Sequence, residues 1–244
     1  MSERNKSLNF TRRSLISAAS NTLKIGLVGG FFGLPRVNAE EPLLSGGYDM
    51  GVYRVTGGVS LDGEPISSGC LLSENSIIDT AADGEVILVI KHDVFLIRPN
   101  SHIEFSGGHG TVRSIDVWSG GLYGVADKQK GRHKLKINLP NAALELYKAG
   151  FYIEADNYRD YVCTCHGMIR IFAKNSLDKD VVISQVHDEP RYVYSERPSQ
   201  SLIQKAPIVN HSDSELGLLL SIQGKHLNHP SFLEIQGRVR RKLF

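Results

Sequence analysis

The sequence predicts an all-β fold, a β-sandwich or roll or a short β-solenoid of many short strands, followed by one short C-terminal helix. Three observations predict it. From Gly51 to about Ile137, short apolar runs alternate with clusters of Gly, Asp and Asn, the punctuation expected of successive strands. No long 3.6-residue period interrupts these runs. A single helical stripe, Leu216, Leu219, Leu220 and Ile222, stands near the C-terminus behind the capping-box pattern Ser212-Asp213-Ser214-Glu215, with Gly224 as its expected stop.

The elements follow in order. Val52–Val55 runs into Gly57-Gly58, Val59–Leu61 into Asp62-Gly63, and Ser76–Thr80 into Ala81-Ala82-Asp83-Gly84. Val86–Ile90 and Val94–Ile97 flank Lys91-His92-Asp93, and His102–Phe105 follows Arg98-Pro99-Asn100. Gly107-Gly108-His109-Gly110 lacks the strand-to-helix setting of a phosphate loop and reads as a hairpin turn. In the stretch from Leu139 to Gly167, Phe151, Ile153 and Ala155 alternate with Tyr152, Glu154 and Asp156. Asn157–Asp160 turns the chain, and Tyr161–Cys165 runs back. Because alternate strand residues share a face, Cys163 and Cys165 should point one way, and Thr164 and His166 the other. Met168–Ala173 and Val181–Val186 read as further strands.

At 244 residues the chain is long enough for a sizeable core. Its formal charge of +2 conceals an asymmetry, because residues 1–39 hold six of the 28 basic residues and one of the 26 acidic ones. The remainder has 22 basic and 25 acidic residues, near −3, which gives no footprint for nucleic acid. Residues 1–39 read as an export signal: a basic start with Arg12-Arg13, the weakly apolar run Ile25–Leu34, and Val37-Asn38-Ala39 as a signal-peptidase site, with cleavage after Ala39. The paired arginines resemble a twin-arginine signal, which exports folded proteins, so a cofactor can be acquired before export. The expected location is the periplasm, with no membrane span after cleavage.

Export sets how the cysteines are read. Cys70, Cys163 and Cys165 are an odd number in an oxidising compartment. A Cys163–Cys165 bridge needs a bend, since two residues of extended strand separate Cα atoms by roughly 6.6 Å, close to the limit of about 6.8 Å. Cys163, Cys165, His187 and His211 would form a two-thiolate, two-imidazole set if the fold joins them, a donor set suited to zinc or copper in a closed, structural site. The alternatives left open are a Cys163–Cys165 disulfide and a bridge from Cys70 to either, with His211 merely preceding a helix cap and His187 packing under Arg191 and Tyr192. Cys163-Thr164-Cys165-His166 has one residue between its cysteines where haem attachment has two. His92, His102, His109, His133, His226 and His229 are scattered and read as solvent-exposed. No G-x-S-x-G or H-E-x-x-H is present, and the expectation is a protein that is not an enzyme.

Val55, Gly58, Ser60 and Gly63, then Ile78 and Thr80, then Asp93, Leu96, Pro99, Asn100, Ser101, Ile103 and Phe105 stand in an order that resembles the FecR-like periplasmic domain, named for the ferric-citrate regulator. Leu139-Pro140-Asn141-Ala142 and Gly150–Glu154 bracket the place of a later family motif. Its G-x-R-G-T is replaced here by Glu145-Leu146-Tyr147-Lys148-Ala149. Cys163, Cys165 and Gly167, then His187, Pro190 and Arg191, then Asn210, His211, Asp213, Glu215 and Leu216 resemble the tail of stand-alone secreted members, with His166 where an aromatic residue is expected. The resemblance implies an all-β periplasmic domain that works with protein partners in the envelope. The membrane helix and cytoplasmic sigma-regulating domain of the well-known regulators are not in this sequence, so that role is not carried over.

The expected organisation is a signal peptide at 1–39, a FecR-like β-domain at 48–156, a C-terminal β-extension with the Cys/His cluster and short helix at 157–224, and a solvated tail at 225–244. The expected function is binding, in sensing or scaffolding at the envelope. A zinc- or copper-binding protein and a thiol redox protein cycling Cys163 and Cys165 are the alternatives.

Overall fold

The computed structural model describes residues 50–108, 112–127, 134–185, 187, 189–196 and 200–227. The expected signal, its cleavage point, the tip of the glycine-rich turn and the tail beyond 227 lie outside them. Fourteen strands and one helix are present among the described residues: β1 (Met50–Thr56), β2 (Val59–Leu61), β3 (Glu64–Pro65), β4 (Ile77–Thr80), β5 (Glu85–Ile90), β6 (Asp93–Ile97), β7 (His102–Gly107), β8 (Val112–Ala126), β9 (Leu135–Asn138), β10 (Ala142–Ala155), β11 (Arg159–Ala173), β12 (Lys179–Ser184), β13 (Arg191–Tyr194), β14 (Ile203–Lys205) and α1 (Asp213–Leu227). The all-β class with one short C-terminal helix is what the turn punctuation predicts.

All fourteen strands belong to one sheet, and its path runs β14-β13-β11-β10-β9-β8-β7-β4-β2-β3. β1, β5 and β6 form a meander that joins this path through β8, and β12 lies against the second half of β11. Most strands are short, but β8, β10 and β11 have 14–15 residues. These long strands change partners midway. β8 pairs with β7 and, in parallel, with β9 in its first half, then with β6 and β10 in its second. Such switches, together with register shifts in β7–β8 and β10–β11, let the sheet turn over its own apolar face. The break between 156 and 157 falls in the β10–β11 hairpin turn, so the sheet passes through both proposed segments.

The sheet has two apolar faces. The inner one buries Leu88, Phe95, Ile97, Ile103, Phe105, Ile115, Phe151, Ile153, Ile169 and their neighbours in one core. The outer face near β5, β6, β8, β10 and β11 is covered by α1, where Ile87, Val89, Val94, Leu96, Tyr123, Val125, Tyr152, Tyr161, Cys163 and Cys165 meet Leu216, Leu219, Leu220 and Ile222. α1 begins at the expected box: Ser212 N–H donates to Glu215 Oε2 at 2.9 Å, and Glu215 N–H reaches back to Ser212 Oγ at 3.4 Å. Gly224 does not stop it. The helix runs to Leu227, so the tail begins after that residue and not at 225; a glycine inside a helix is costly but tolerated where neighbouring residues remain helical. Among the described residues, no helix is long and apolar enough to cross a membrane.

Candidate metal centre

The hairpin of β10 and β11 builds the first half of the site. Thr164 pairs with Phe151 and His166 with Gly150, leaving Cys165 as an extra residue in the strand. A bulge of this kind bends its strand and resets the side-chain alternation. The alternation holds as far as Cys165, so Cys163 and Cys165 both face α1, as the period-two reading predicts, with Sγ atoms 4.0 Å apart. The same bulge overturns the expectation for His166, which lies over Gly150 beside Leu216 on the helix-covered side: a Cβ on Gly150 would sit 2.6 Å from His166 Cδ2 and 3.0 Å from Leu216 Cδ1. Gly167 follows with φ +85, and a Cβ there would meet Lys148 O at 1.8 Å, so only glycine fits as the strand recovers its register.

The second half comes from two later segments. His187 has φ +45, a left-handed conformation that costs a non-glycine residue roughly 1–2 kcal/mol. Its N–H donates to the Cys165 carbonyl at 3.0 Å, which holds the strained residue against β11. His211 follows Asn210, another left-handed residue, and its ring stacks on Tyr152 at 4.6 Å between centroids with Tyr123 edge-on at 5.4 Å. His187 Nδ1 lies 3.8 Å from Cys163 Sγ and 2.9 Å from His211 Nε2. All four predicted ligand atoms lie within 4.8 Å of one another. Cys163, Cys165 and His187 are buried, and His211 is partly exposed.

These separations approach the edges of a single ion's coordination shell. In a tetrahedral zinc site, Zn–S bonds of about 2.3 Å and Zn–N bonds of about 2.0 Å set the S···S edge near 3.8 Å and the N···N edge near 3.3 Å. The observed 4.0 and 2.9 Å lie within a few tenths of an ångström of those edges; the S···N edge of such a site is about 3.5 Å, so the wider separations, up to 4.8 Å, must close by about 1 Å on binding.

The surrounding groups orient the ligands. His211 Nδ1 is 2.6 Å from the Val209 carbonyl, so its proton sits there and Nε2 presents a lone pair inward. Asp213 Oδ1 lies 2.8 Å from His187 Nε2. That nitrogen is buried without an aligned hydrogen bond, so the contact is one of charge and proximity, drawing the proton to Nε2 and leaving Nδ1 free. Two imidazole lone pairs then face each other at 2.9 Å beside two sulfurs, an arrangement that needs a cation or proton between them. A carboxylate behind a ligand histidine is the usual outer support of a metal site.

The sulfurs are electrostatically unequal. The Cys165 thiol, by hydrogen bonding, holds Cys163 well below the ordinary thiol range, against the opposing effect of burial. Burial and the neighbouring Cys163 push Cys165 upward. Cys163 is thus disposed to the thiolate form that binds soft metal ions. Cys163, Cys165 and Cys70 are all free thiols. Cys70 belongs to the edge of the inner core, near Ser67.

Several site residues escape a reading of the sequence. Asp213 is visible only as part of the helix cap, although its place two residues after His211 is the one local sign of its second contact. Tyr123 arrives from β8 by topology, and its hydroxyl donates to the Ser212 carbonyl at 3.1 Å. Arg98, in the turn after β6, donates to Glu215 of α1, and at 3.1 Å to Glu85 of β5. Of the other histidines, His102 is only half-exposed and pairs with Asp79 at 2.5 Å. His109 and His133 lie outside the described residues.

No protein-family model matches the chain, and no curated protein matches it. Among solved structures, two crystal structures of a candidate anti-sigma factor from Parabacteroides distasonis are similar. One is 11% identical over 59% of this chain and 64% of its own, with a TM-score of 0.44. The other is 10% identical over 58% and 62%, with a TM-score of 0.42. The chain thus matches less than two thirds of the length of either.

Proposed function

We propose that this protein is a metal-dependent binding protein of the cell envelope, in which Cys163, Cys165, His187 and His211 hold one zinc(II) or copper(I) ion. One observation carries the reading: three separate segments deliver four soft and borderline ligand atoms to within 4.8 Å of one another. Four protein ligands make a closed site, the form that supports structure and binding and leaves no position for a substrate. The protein is therefore read as a binding or sensing component and not as an enzyme. Location in the periplasm, export through a twin-arginine signal cleaved after Ala39, and action through a protein partner belong to the same proposal. They are supported by the character of residues 1–39 and by the order of the FecR-like motifs.

The test is metal content and thiol count on the full chain, as purified and after equilibration with zinc or copper(I), beside Cys163→Ser/Cys165→Ser. One ion per chain, lost in the double variant, is the expected result. Absence of stoichiometric uptake at micromolar free metal, with both thiols oxidised to each other, would overturn it in favour of a disulfide-closed binding domain.

A further inference from the structure

Resting on the metal-binding reading of the same site, we infer that the ion is a latch for helix α1, and that its occupancy decides whether the outer face of the sheet is covered. The helix and its approach are tied to the site at three successive points. His211, two residues before α1, supplies a ligand nitrogen. Ser212 receives the Tyr123 hydroxyl through its carbonyl. Asp213, the first residue of α1, stands 2.8 Å from the ring of His187. Arg98 adds a fourth tie two residues later through Glu215. Towards the far end, Gln223 Nε2 donates to the His92 carbonyl at 2.7 Å.

The helix is weak by its own sequence. It has 15 residues, near the length at which an isolated helix is marginal in water, and it contains Gly217 and Gly224. Space around Gly217 is open, with no atom within 4 Å of where a Cβ would stand, so packing does not require a glycine there. A better helix former would fit. The glycine leaves α1 dependent on its anchors, and most of the polar ones lie at the ligand-bearing end. Without an ion, the facing nitrogens of His187 and His211 at 2.9 Å have lost the charge that draws them together, and the His211 segment is free to withdraw.

Withdrawal uncovers an apolar surface. Beneath α1 lie Ile87 and Val89 of β5, Val94 and Leu96 of β6, and Tyr123 and Val125 of β8. The inner core is built from the opposite face of the sheet and makes no use of the helix. The fold can therefore persist while α1 lifts, which separates a latch from an ion that holds the whole domain together.

Hydrogen exchange on the full chain, zinc-loaded and after chelation, tests this, with zinc uptake measured on the same samples. The expected result on zinc removal is a fall in protection across residues 213–227 of at least tenfold, to the level of an undocked helix, with β7 and the inner-core strands still strongly protected, and increased binding of an apolar dye. Gly217→Ala should retain zinc and raise α1 protection in the chelated protein by about fivefold, the propensity difference between glycine and alanine inside a helix. Stoichiometric zinc uptake with unchanged α1 protection would overturn the latch and leave the metal site standing. A sheet left as unprotected as an unfolded chain after chelation would also overturn it, assigning the ion to global structure. No zinc uptake would overturn both.

Discussion

Replacing Cys165 by alanine should abolish the stabilisation that zinc confers while barely changing the metal-free protein. A ligand that binds only the folded state stabilises it by RT ln(1 + [L]/Kd), about 4.1 kcal/mol at a thousandfold excess over Kd. For a domain of roughly 150–250 residues, each kcal/mol moves Tm by about 2–4 °C, so zinc should raise the wild-type Tm by about 8–16 °C. Losing an outer-shell partner alone weakens a metal site by roughly 10–100-fold, and losing a ligand should weaken it further. A thousandfold loss leaves only about 0.4 kcal/mol at the same zinc concentration. The metal-free cost is small by comparison. Cys165 is fully buried, and deleting one buried atom of this size costs on the order of 1 kcal/mol. Thermal unfolding at fixed free zinc, with a chelated arm for each protein, reads both quantities. Cys70→Ala serves as the control, since Cys70 lies at the edge of the inner core and should keep the full rise. A Cys165→Ala protein that retains the wild-type rise, or a wild type with none at saturating zinc, would refute the reasoning.

Three further predictions concern the framework. Asp160 is buried and accepts hydrogen bonds from the Asn141 backbone N–H at 2.7 Å and side-chain amide at 3.2 Å; Asp160→Ala should cost about 2–3 kcal/mol in denaturant unfolding by leaving those donors unpaired. Burial pushes the Asp160 carboxyl up to about 6, so its contribution is largest below the unfolded value and declines as pH rises through 6. Stability should fall by about 1 kcal/mol from this group between pH 5 and 7, and Asp160→Asn should remove that slope. Arg98→Ala should destabilise by roughly 1–2 kcal/mol at neutral pH, because Glu215 is partly buried and loses its cationic partner. Arg98 and Ser212 hold the Glu215 carboxyl below its usual range against its burial, so the difference should shrink as pH falls below about 4.5, which unfolding curves at pH 7 and 4 would show. Gly124→Ala should cost about 1–3 kcal/mol by overpacking, since its Cβ would lie 2.5 Å from Phe151 Cζ and 2.9 Å from Phe95 Cδ1; an unchanged midpoint would show that the two rings can move apart.

The strands and the candidate ligands were legible for different reasons. Runs such as Val94–Ile97 and turns such as Asp62-Gly63 carry local signals, and local signals suffice to place short strands. The four metal-ligand candidates could be named because thiol and imidazole are scarce and chemically distinctive, not because their spacing was diagnostic. What composition cannot encode is long-range pairing. β8 meets β6, β7, β9 and β10 along one strand, and that path brings Tyr123 to the Ser212 carbonyl and sets the floor under α1. His166 shows the same limit within a single strand. Strict alternation puts it opposite the cysteines, but one extra residue at position 165 shifts every later side chain by a face. The bulge has a sign only in its consequences: Gly150, opposite His166, has no room for a Cβ beside that ring, and Gly167 takes the left-handed turn back into register. A larger residue at Gly150 would press on His166 and Leu216 together, the bulged strand and the helix that the proposed ion joins. That glycine is therefore a requirement of the site as much as of the sheet.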